Sequence, residues 1–393
     1  MNTIDKTQAH ITPTYNRLSV VMEKAEGCHL YDTSGKGYLD FTAGIGVNAL
    51  GYNHPKWVNA TQSQLTALQH ISNIYYTKPS ADVAETLCTR TGMKHVLFVN
   101  SGAESNEVAI KAARKYGHQQ NKDKHKILTL KNSFHGRTVT TLAATGQDVF
   151  HQYFDPFTES FDYVEANNIS DLMNKADPTV CAIMIEVIQG EGGVIPLEPA
   201  FIEAIDQLCR QQDMLLIIDE VQTGIGRTGK LFAYEHFGLQ PDIVTSAKGL
   251  GNGLPIGAIL FGEKVKGTLE AGDHGSTFGG NPVAAAGATV VLDELSEAFL
   301  EKVLEKGSYL KEKLEALDAV ESVSGMGLML GVTFKQANAK AVMLEAMEEG
   351  LLFLTAKDKL RLLPPLIIDQ ASLDEAVSCL AHILAEKMQE VTK

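Results

Sequence analysis

Short apolar segments of strand length recur along the middle of this chain, separated by turn residues and, in several cases, by stretches with helical periodicity. They lie at residues 96–99, 127–130, 182–187, 215–221, 243–246 and 258–261. A strand that is apolar at almost every position is buried on both faces, and strands that alternate with helices build parallel sheets covered on both sides. The pattern therefore predicts an α/β fold with a mainly parallel sheet flanked by helices.

The two ends of the chain differ from this alternating region. A short hairpin is expected over residues 30–41, where turn residues surround Gly35 and Gly37. After residue 295, apolar residues at helical spacing predict an amphipathic helix over 297–317, followed by a strand at 327–334 and a final helix at 372–389. These elements indicate a smaller α+β lobe beside a large domain, and a chain of 393 residues is long enough for both.

Two polar residues lie at the ends of apolar strands, Asp219 after one and Lys248 after the next, with a helical passage expected between the strands. If both strand ends meet at one edge of the sheet, the pair suits pyridoxal phosphate. The lysine amine would form a Schiff base with the cofactor aldehyde, and the carboxylate would keep the ring nitrogen protonated. Burial beside Ala247 and Gly249 would lower the pKa of Lys248, which suits such an amine. The alternative is a lysine that extends from a strand end into solvent.

The same segment also contains part of a nucleotide-binding pattern. Residues 224–230 match the first seven positions of the phosphate-binding loop G-x-x-x-x-G-K-[ST], after an acidic strand typical of an ATPase. Position eight is Leu231, which has no hydroxyl for Mg²⁺, and the loop follows the acidic strand instead of preceding it. Both departures disfavour an ATPase.

Four further motifs follow strands or precede helices, and each has an ordinary structural alternative. Residues 100–107 could bind a phosphate at a helix N-terminus or simply form a capping box from Ser101 to Glu104. Residues 133–138 offer Phe134 for stacking on a planar ring and Arg137 for a carboxylate, or form a plain turn. The turn at 190–193 and the loop at 275–282 carry a carboxylate and two hydroxyls, respectively, and either is commonly just a loop.

Composition excludes several other classes of protein. The net charge of −14 argues against nucleic-acid binding, which requires a basic surface. No apolar run reaches membrane-spanning length, and the start of the chain lacks a signal-peptide pattern, so a cytoplasmic enzyme is expected. Five scattered cysteines without a C-x-x-C pair, and twelve histidines without paired spacing, predict neither a disulfide framework nor a metal site.

Taken together and in order, the motifs resemble those of the class III aminotransferases of fold type I, most closely the N-acetylornithine aminotransferases. The matching segments are GYLDF, GVNALG, NSGAESNE, SFHGRT, QGEGG, DEVQTGIGRTG, AKGLGNGLPIGA, HGSTFGGNP and RLLPP. They extend from residue 37 to residue 365 and so cover nearly the whole chain. Ser105 stands where relatives often have Ala, and Tyr52 stands where His is commoner.

The resemblance implies a role for each matching residue. Lys248 would carry the pyridoxal 5′-phosphate and move the proton, and Asp219 would pair with the ring nitrogen. The remaining cofactor contacts would come from Gly102, Ala103, Phe134, Glu220, Val221, Gln222 and, from the partner subunit, Thr277. Substrate carboxylates would be held by Arg137 and Ser276, while Glu191 would pair with Arg361 until 2-oxoglutarate takes its place.

The resemblance also implies an assembly and a reaction. A homodimer with active sites at the interface is expected, with residues 1–60 contributing to the small domain and the interface, 61–290 forming the cofactor-binding domain and 291–393 the C-terminal small domain. The reaction would transfer the δ-amino group of N-acetylornithine to 2-oxoglutarate. Ornithine, succinylornithine, N-succinyl-diaminopimelate and 4-aminobutyrate remain alternative donors. Ornithine enzymes tend to carry a tyrosine near the position where this chain has Ile45, which disfavours free ornithine. A non-catalytic relative that kept only the fold would not need Lys248, Asp219 and Arg137 together.

Overall fold

The computed structural model of the chain describes residues 1–391. Its α-helices are α1 (Thr3–His10), α2 (Ala43–Gly46), α3 (Pro55–Ala67), α4 (Lys78–Thr91), α5 (Gly102–Gln120), α6 (Val139–Ala144), α7 (Ile169–Lys175), α8 (Pro199–Gln211), α9 (Pro282–Glu294), α10 (Glu297–Glu315), α11 (Ala339–Glu348) and α12 (Gln370–Val391). Short 3-10 helices lie at Asp148–Phe150, Ala233–Phe237 and Lys248–Leu250.

The strands are β1 (Met22–Glu26), β2 (His29–Asp32), β3 (Gly37–Asp40), β4 (His95–Val99), β5 (Lys126–Leu130), β6 (Phe161–Val164), β7 (Val180–Ile185), β8 (Ile188–Gln189), β9 (Ile195–Pro196), β10 (Leu215–Asp219), β11 (Ile243–Ser246), β12 (Gly257–Phe261), β13 (Val320–Met326), β14 (Met329–Phe334), β15 (Leu351–Leu352), β16 (Leu354–Ala356) and β17 (Lys359–Leu362). Each of the six apolar segments of the central region forms a strand, which confirms the predicted strand positions. Strand β6 was not predicted.

A seven-stranded sheet in the order β4-β12-β11-β10-β7-β5-β6 forms the centre of the molecule. The pairs β11–β10, β10–β7, β7–β5 and β5–β6 are parallel, whereas β12 is antiparallel to both β11 and β4. Only the short segment 247–256 joins β11 to β12, and parallel neighbours require a longer crossover. The sheet is therefore mainly parallel with one reversed strand, as expected for the α/β fold.

Both faces of this sheet are buried, and successive residues of each strand enter different cores. In β10, Leu216 and Ile218 belong to one apolar cluster, while Leu215 and Ile217 belong to a second. Helix α8 packs its apolar residues into the first cluster, and α5 packs into the second. This alternation explains why the strands are apolar at almost every position.

The ends of the chain form smaller sheets outside the central one. Strands β1, β2 and β3 form a sheet with β15 from the C-terminal region, and β13, β14, β17 and β16 form another. The antiparallel β2–β3 pair confirms the hairpin predicted at 30–41, and α10 and α12 confirm the two predicted helices. Strand β14 matches the predicted strand at 327–334, while its antiparallel partner β13 was not predicted.

The passage between β10 and β11 was predicted to be helical, and this prediction was wrong. Residues 221–232 are turns, and only Ala233–Phe237 forms a short 3-10 helix. Gly226 and Gly229 have φ angles of 83° and 88°, in the left-handed region that ends regular helix. Glycine spacing in this segment therefore overrides its helical periodicity.

Within residues 1–391, no helix combines the length and apolar character needed to cross a membrane. The same part of the chain contains no group of three or more His, Cys, Asp or Glu side chains arranged to hold a metal ion. Its five cysteines are all free.

Candidate active site

A cavity of about 420 Å³ opens at the carboxyl ends of the central parallel strands. This edge is where open α/β sheets bind ligands, because the loops that follow the strands converge there. Most of the residues that line the cavity follow β4, β5, β7, β10 or β11. The lining consists of Val47, Asn100, Ser101, Gly102, Ala103, Asn106, Phe134, His135, Gly136, Arg137, Glu186, Asp219, Val221, Gln222, Ala247, Lys248, Gly253, Leu254, Pro255 and Ile256.

The carboxylate of Asp219 is held in a fixed orientation within this cavity. Its Oδ2 accepts hydrogen bonds from Asn106 Nδ2 and pairs with His135 Nδ1, each at 2.8 Å, and its Oδ1 accepts from the backbone N–H of Val221 at 3.0 Å. Asn106 is fixed in turn, because its Oδ1 accepts from Thr245 Oγ1 at 2.7 Å. The Asp219 side chain is buried, so these contacts replace the water it loses.

His135 pairs with the Asp219 carboxylate at this position. Burial by itself lowers the pKa of His135, but the hydrogen bond and charge of Asp219, with the charge of Glu186, outweigh burial and the pKa lies above its ordinary value. The imidazole is fully buried, and its Nε2 has no hydrogen-bond partner in the described structure. Its hydrogen bond fixes the Asp219 carboxylate, which can pair with a positively charged ligand atom in the cavity.

Lys248 brings an amine to the same cavity. It follows β11 directly and adopts a φ angle of 42°, in the left-handed region that non-glycine residues rarely occupy. Burial lowers the pKa of its amine, and the guanidinium of Arg361 lowers it further, against the opposing charges of Glu191, Asp219 and Glu186. A buried lysine with a lowered pKa has a larger fraction of the nucleophilic neutral amine at neutral pH.

The N-terminus of α5 forms another wall, and this supports the phosphate interpretation of residues 100–107. The capping box is also present in part, since Ser101 Oγ accepts from Glu104 N at 3.2 Å. The N–H groups of Gly102 and Ala103 precede the first helical hydrogen bonds and are free for an anion. A Cβ atom at Gly102 would lie 2.5 Å from Val221 Cγ1, so only glycine lets the helix end approach the Asp219 loop.

Phe134 and Arg137 occupy the far side of the cavity. The Arg137 guanidinium lies 3.7 Å from the centre of the Phe150 ring and 5.5 Å from that of Phe134. Arg137 is exposed and forms no ion pair with a described residue, so its charge is available to a ligand. Arg137 also borders a second cavity of about 500 Å³, whose other lining residues are Thr14, Tyr15, Val139, Leu142, Phe154, Asp155 and Phe157.

Glu191 and Arg361 form an ion pair, although neither lines the main cavity. Glu191 lies in the turn between β8 and β9, and its Oε1 accepts from Arg361 Nη1 at 2.6 Å. The same Arg361 nitrogen lies 3.3 Å from Gln222 Oε1, and Gln222 does line the cavity. Burial raises the pKa of Glu191, but the charge and hydrogen bond of Arg361 outweigh burial, and the net shift is downward.

Glu186 is a cavity residue that sequence reasoning missed. Its carboxylate accepts from the backbone N–H groups of Phe134 at 3.0 Å and Gly190 at 3.3 Å. Burial raises its pKa to about 7, with His135 opposing the rise and Asp219 adding to it. The available signal was a single carboxylate at the end of an otherwise apolar strand segment. His135 and Asn106 were likewise present in quoted motifs without an assigned role.

Besides Glu191 and Arg361, three further predicted residues do not line the cavity. Glu220 follows Asp219 and faces the opposite direction, where its carboxylate accepts from Thr223 Oγ1 at 2.6 Å and the Tyr234 N–H at 2.8 Å. This placement disagrees with the expectation that the Glu220 side chain contacts a cofactor. Ser276 Oγ accepts from Asn100 Nδ2 at 3.1 Å at the cavity rim, and Thr277 is exposed.

The segment that resembles an ATP-binding loop does not have the required geometry. Residues 224–230 form turns that lead into a short 3-10 helix instead of opening an α-helix. Lys230 is exposed, and none of these residues lines the cavity. The backbone therefore does not form the phosphate cradle of a nucleotide triphosphatase.

Comparison with known proteins identifies a family and close relatives. The class-III aminotransferase family matches residues 11–384. The acetylornithine aminotransferase of Haemophilus ducreyi is 52% identical over 380 residues, which cover 96% of this chain and 97% of the relative. That of Aquifex aeolicus is 47% identical over 382 residues, which cover 95% of this chain and 100% of the relative.

Solved structures agree with this family. The N-acetylornithine aminotransferase from Stenotrophomonas maltophilia superposes with a TM-score of 0.85 at 36% identity, over 98% of this chain and 100% of that one. The ornithine aminotransferase from Toxoplasma gondii superposes with a TM-score of 0.93 at 29% identity, over 98% of this chain and 95% of that one. Backbone similarity thus extends across members with different named substrates.

Proposed function

The chain belongs to the class-III aminotransferases, and we propose that it transfers the δ-amino group of N-acetylornithine to 2-oxoglutarate in arginine biosynthesis. The products are N-acetylglutamate 5-semialdehyde and glutamate. One observation carries the chemical part of the proposal: a buried amine, Lys248, and a fixed carboxylate, Asp219, line the same cavity. The identity to relatives named acetylornithine aminotransferase carries the choice of donor.

Pyridoxal 5′-phosphate is the cofactor of this family, and it supplies an aldehyde that takes up an amino group and a ring that withdraws electrons. The cavity fits it at three points. The free N–H groups at the α5 N-terminus suit a phosphate, Asp219 suits a protonated ring nitrogen, and Lys248 suits an aldehyde. Phe134 and Gln222 also line the cavity, where Phe134 would stack on the ring and Gln222 would lie near its hydroxyl.

In the reaction, each residue performs a defined physical task. Lys248 Nζ would hold the cofactor aldehyde and, when free, would take the proton from the donor's δ-carbon and return it. Asp219, fixed by His135 and Asn106, would hold a proton on the ring nitrogen and so favour loss of the δ-carbon proton. Arg137 and Ser276 orient the distal carboxylate of each substrate.

The second cavity beside Arg137 supports an acylated donor. Tyr15, Val139, Phe154 and Phe157 give it a mainly apolar wall, and Arg137 borders both spaces. A donor whose carboxylate binds Arg137 can place a neutral acyl group there, whereas a free α-ammonium would lose hydration against apolar side chains. This favours N-acetylornithine over ornithine.

We also propose a cytoplasmic homodimer in which Thr277 of the partner subunit completes the phosphate site. Thr277 is exposed and lies outside the cavity of its own chain, although it belongs to a motif shared with the family. The free cysteines agree with a reducing compartment. The proposed domains are residues 1–60, 61–290 and 291–393, the first and last together forming the small domain.

The rates at which amino donors bleach the near-visible absorbance of the bound cofactor test the proposal. The donors are N-acetylornithine, ornithine, N-succinyl-diaminopimelate and 4-aminobutyrate. We expect N-acetylornithine to react fastest. Faster reaction with ornithine would exclude the acylated donor, and ATP hydrolysis without any near-visible absorbance would reinstate the nucleotide triphosphatase.

A further inference from the structure

Arg227 is a buried cation for which the proposed reaction has no direct use. It lies in the loop between β10 and β11, its side chain is almost completely enclosed, and it forms no ion pair with a described carboxylate. Burial lowers its pKa to about 9, and the charge of Asp40 only partly offsets this. Burying an unpaired charge costs free energy, so an apolar side chain of similar volume would serve simple packing better.

The side-chain hydrogen bonds of Arg227 lead to the C-terminal lobe. Its Nη1 donates to the carbonyl oxygen of Leu328 at 3.1 Å and also to the carbonyl oxygen of Pro364. Its own carbonyl oxygen accepts from the Leu328 N–H at 3.0 Å. One side chain thus joins two separate segments of the lobe to the loop that follows Asp219.

These two segments lie at the ends of β17, which carries Arg361, and of its partner strand β14. Leu328 directly precedes β14, and Pro364 lies shortly after β17. The two strands are paired, with Gly331 opposite Arg361 in the ladder. Gly327 also makes the close approach possible, because a Cβ atom there would lie 2.7 Å from the carbonyl oxygen of Arg227.

The same loop also contacts Arg361 directly, because Arg361 Nη1 donates to Gln222 Oε1 at 3.3 Å. Gln222 lines the cavity, so the loop connects the cofactor position with the strand end from which Arg361 extends. A shift of β17 relative to this loop would move the Arg361 guanidinium away from the incoming carboxylate. Misplacement of a binding group by about 1 Å can cost roughly 100-fold in rate.

We propose that Arg227 is a positioning residue that anchors β14 and β17 to the cofactor loop and thereby holds Arg361 where it binds the α-carboxylate of 2-oxoglutarate. This inference rests on the proposed role of Arg361 as the acceptor's carboxylate site. N-acetylornithine binds while Arg361 is paired with Glu191, so its reaction depends less on where Arg361 lies. The effect of Arg227 is therefore specific to the acceptor.

Single-turnover measurements of the two half-reactions in the holoenzyme test this. We expect Arg227→Gln to raise the 2-oxoglutarate concentration that gives half the maximal rate by roughly tenfold to hundredfold. The corresponding concentration of N-acetylornithine should stay within about twofold of the parent value. Arg227→Lys keeps the charge and one donor group and should lie between the parent and Arg227→Gln. Thr228→Val, a buried change in the same loop, is the matched control and should alter neither half-reaction.

A double-mutant cycle with Arg361→Gln separates positioning from general loss of structure. If Arg227 acts through Arg361, adding Arg227→Gln to Arg361→Gln should change the 2-oxoglutarate half-reaction by less than about twofold. Additive losses, or equal losses in both half-reactions of Arg227→Gln, would overturn the inference. If Arg227→Gln unfolds at the assay temperature, the cycle is run with Arg227→Lys. An unsubstituted protein that does not react with 2-oxoglutarate would instead contradict the proposed function.

Discussion

Single residues in the cavity have chemical properties that their surroundings determine. Lys248 is followed by Gly249 and Lys230 is preceded by Gly229, yet only Lys248 lines the cavity, while Lys230 is exposed. Burial lowers the pKa of Lys248, whereas His135 and Asn106 hold the carboxylate of Asp219. Lys248 thus has a lowered pKa and Asp219 a fixed orientation, and the proposed proton transfer depends on both.

At the residue scale, Lys248→Ala should abolish turnover while the protein still folds and binds the cofactor. The substitution removes the amine that binds the cofactor and the group that moves the proton, so we expect a loss of roughly 10⁴-fold or more. Steady-state rates with N-acetylornithine and the absorbance of the bound cofactor measure this. Lys230→Ala is the control and should retain the parent rate; near-normal turnover in Lys248→Ala would disprove the assignment.

Asp219→Asn should separate cofactor binding from electron withdrawal. The amide keeps the size of the carboxylate but cannot hold a positive charge on the ring nitrogen, so kcat should fall by roughly 100-fold to 1,000-fold. Cofactor retention after gel filtration should stay close to that of the parent, because phosphate contacts remain. Weak retention with an intact rate would make Asp219 a purely structural residue.

Larger elements decide which charges can move. The β8–β9 hairpin places Glu191 at its tip between Gly190 and Gly192, against the C-terminal sheet that carries Arg361. The Arg361 side chain is almost completely buried, while that of Glu191 is about one-third exposed, at 30%. Of the two partners, Glu191 can therefore swing into solvent with less change in the surrounding structure.

At the scale of this element, Glu191→Ala should affect the two half-reactions in opposite directions. Without the carboxylate, Arg361 is free for 2-oxoglutarate, which should bind at least as well as in the parent. An unpaired Arg361 should slow the N-acetylornithine half-reaction by about tenfold, since a buried charge is left without compensation. Single-turnover rates of each half-reaction measure this, with Glu198→Ala, outside the cavity, as the control. Equal effects on both would leave Glu191 an ordinary loop residue.

The whole molecule adds a property that no isolated element has, namely a folded core around buried carboxyl groups. Burial raises the pKa of Glu220 to about 7, although Thr223 and Tyr234 donate hydrogen bonds to it. A carboxyl group with a raised folded-state pKa binds its proton more tightly in the native state. It therefore contributes stability that is present at low pH and is lost as pH rises from the unfolded-state value towards 7.

Glu220→Gln should remove this pH dependence. Between about pH 4.5 and pH 7, the free energy of unfolding of the variant relative to the parent should rise by roughly 3 kcal/mol, which is the value of a shift of about 2.5 pKa units. Urea unfolding of both proteins at pH 5 and pH 7.5, at one protein concentration, measures the difference. A constant difference across this range would show that Glu220 titrates normally.

Complementation between subunits tests the proposed dimer. Thr277→Ala should weaken cofactor binding, and Lys248→Ala should be inactive, but a mixed dimer contains one site with both residues intact. We expect activity at low cofactor concentration to recover after the two variants are unfolded together and refolded. Refolding each variant alone is the control. Absence of recovery, with mixed dimers detected by a tag, would place Thr277 outside the partner's site.

The sequence alone determined the central α/β architecture and the position of its chemistry. Strands buried on both faces must be apolar throughout, so their order and spacing are readable, and Asp219 and Lys248 are recognisable as polar exceptions at their ends. The terminal helices and the β2–β3 hairpin follow from periodicity and turn residues for the same reason.

The tertiary structure alone decided which other residues share the site. His135, Glu186 and Asn106 come from three separate segments, and only strand order brings them to one carboxylate or one cavity. Three other features also depend on the folded chain. The short connection reverses β12, and glycine φ angles give turns in place of a helix after β10. The alternation of side chains along a strand turns Glu220 away from the cavity. Local sequence specifies propensity, whereas contacts between distant segments exist only once the chain has packed.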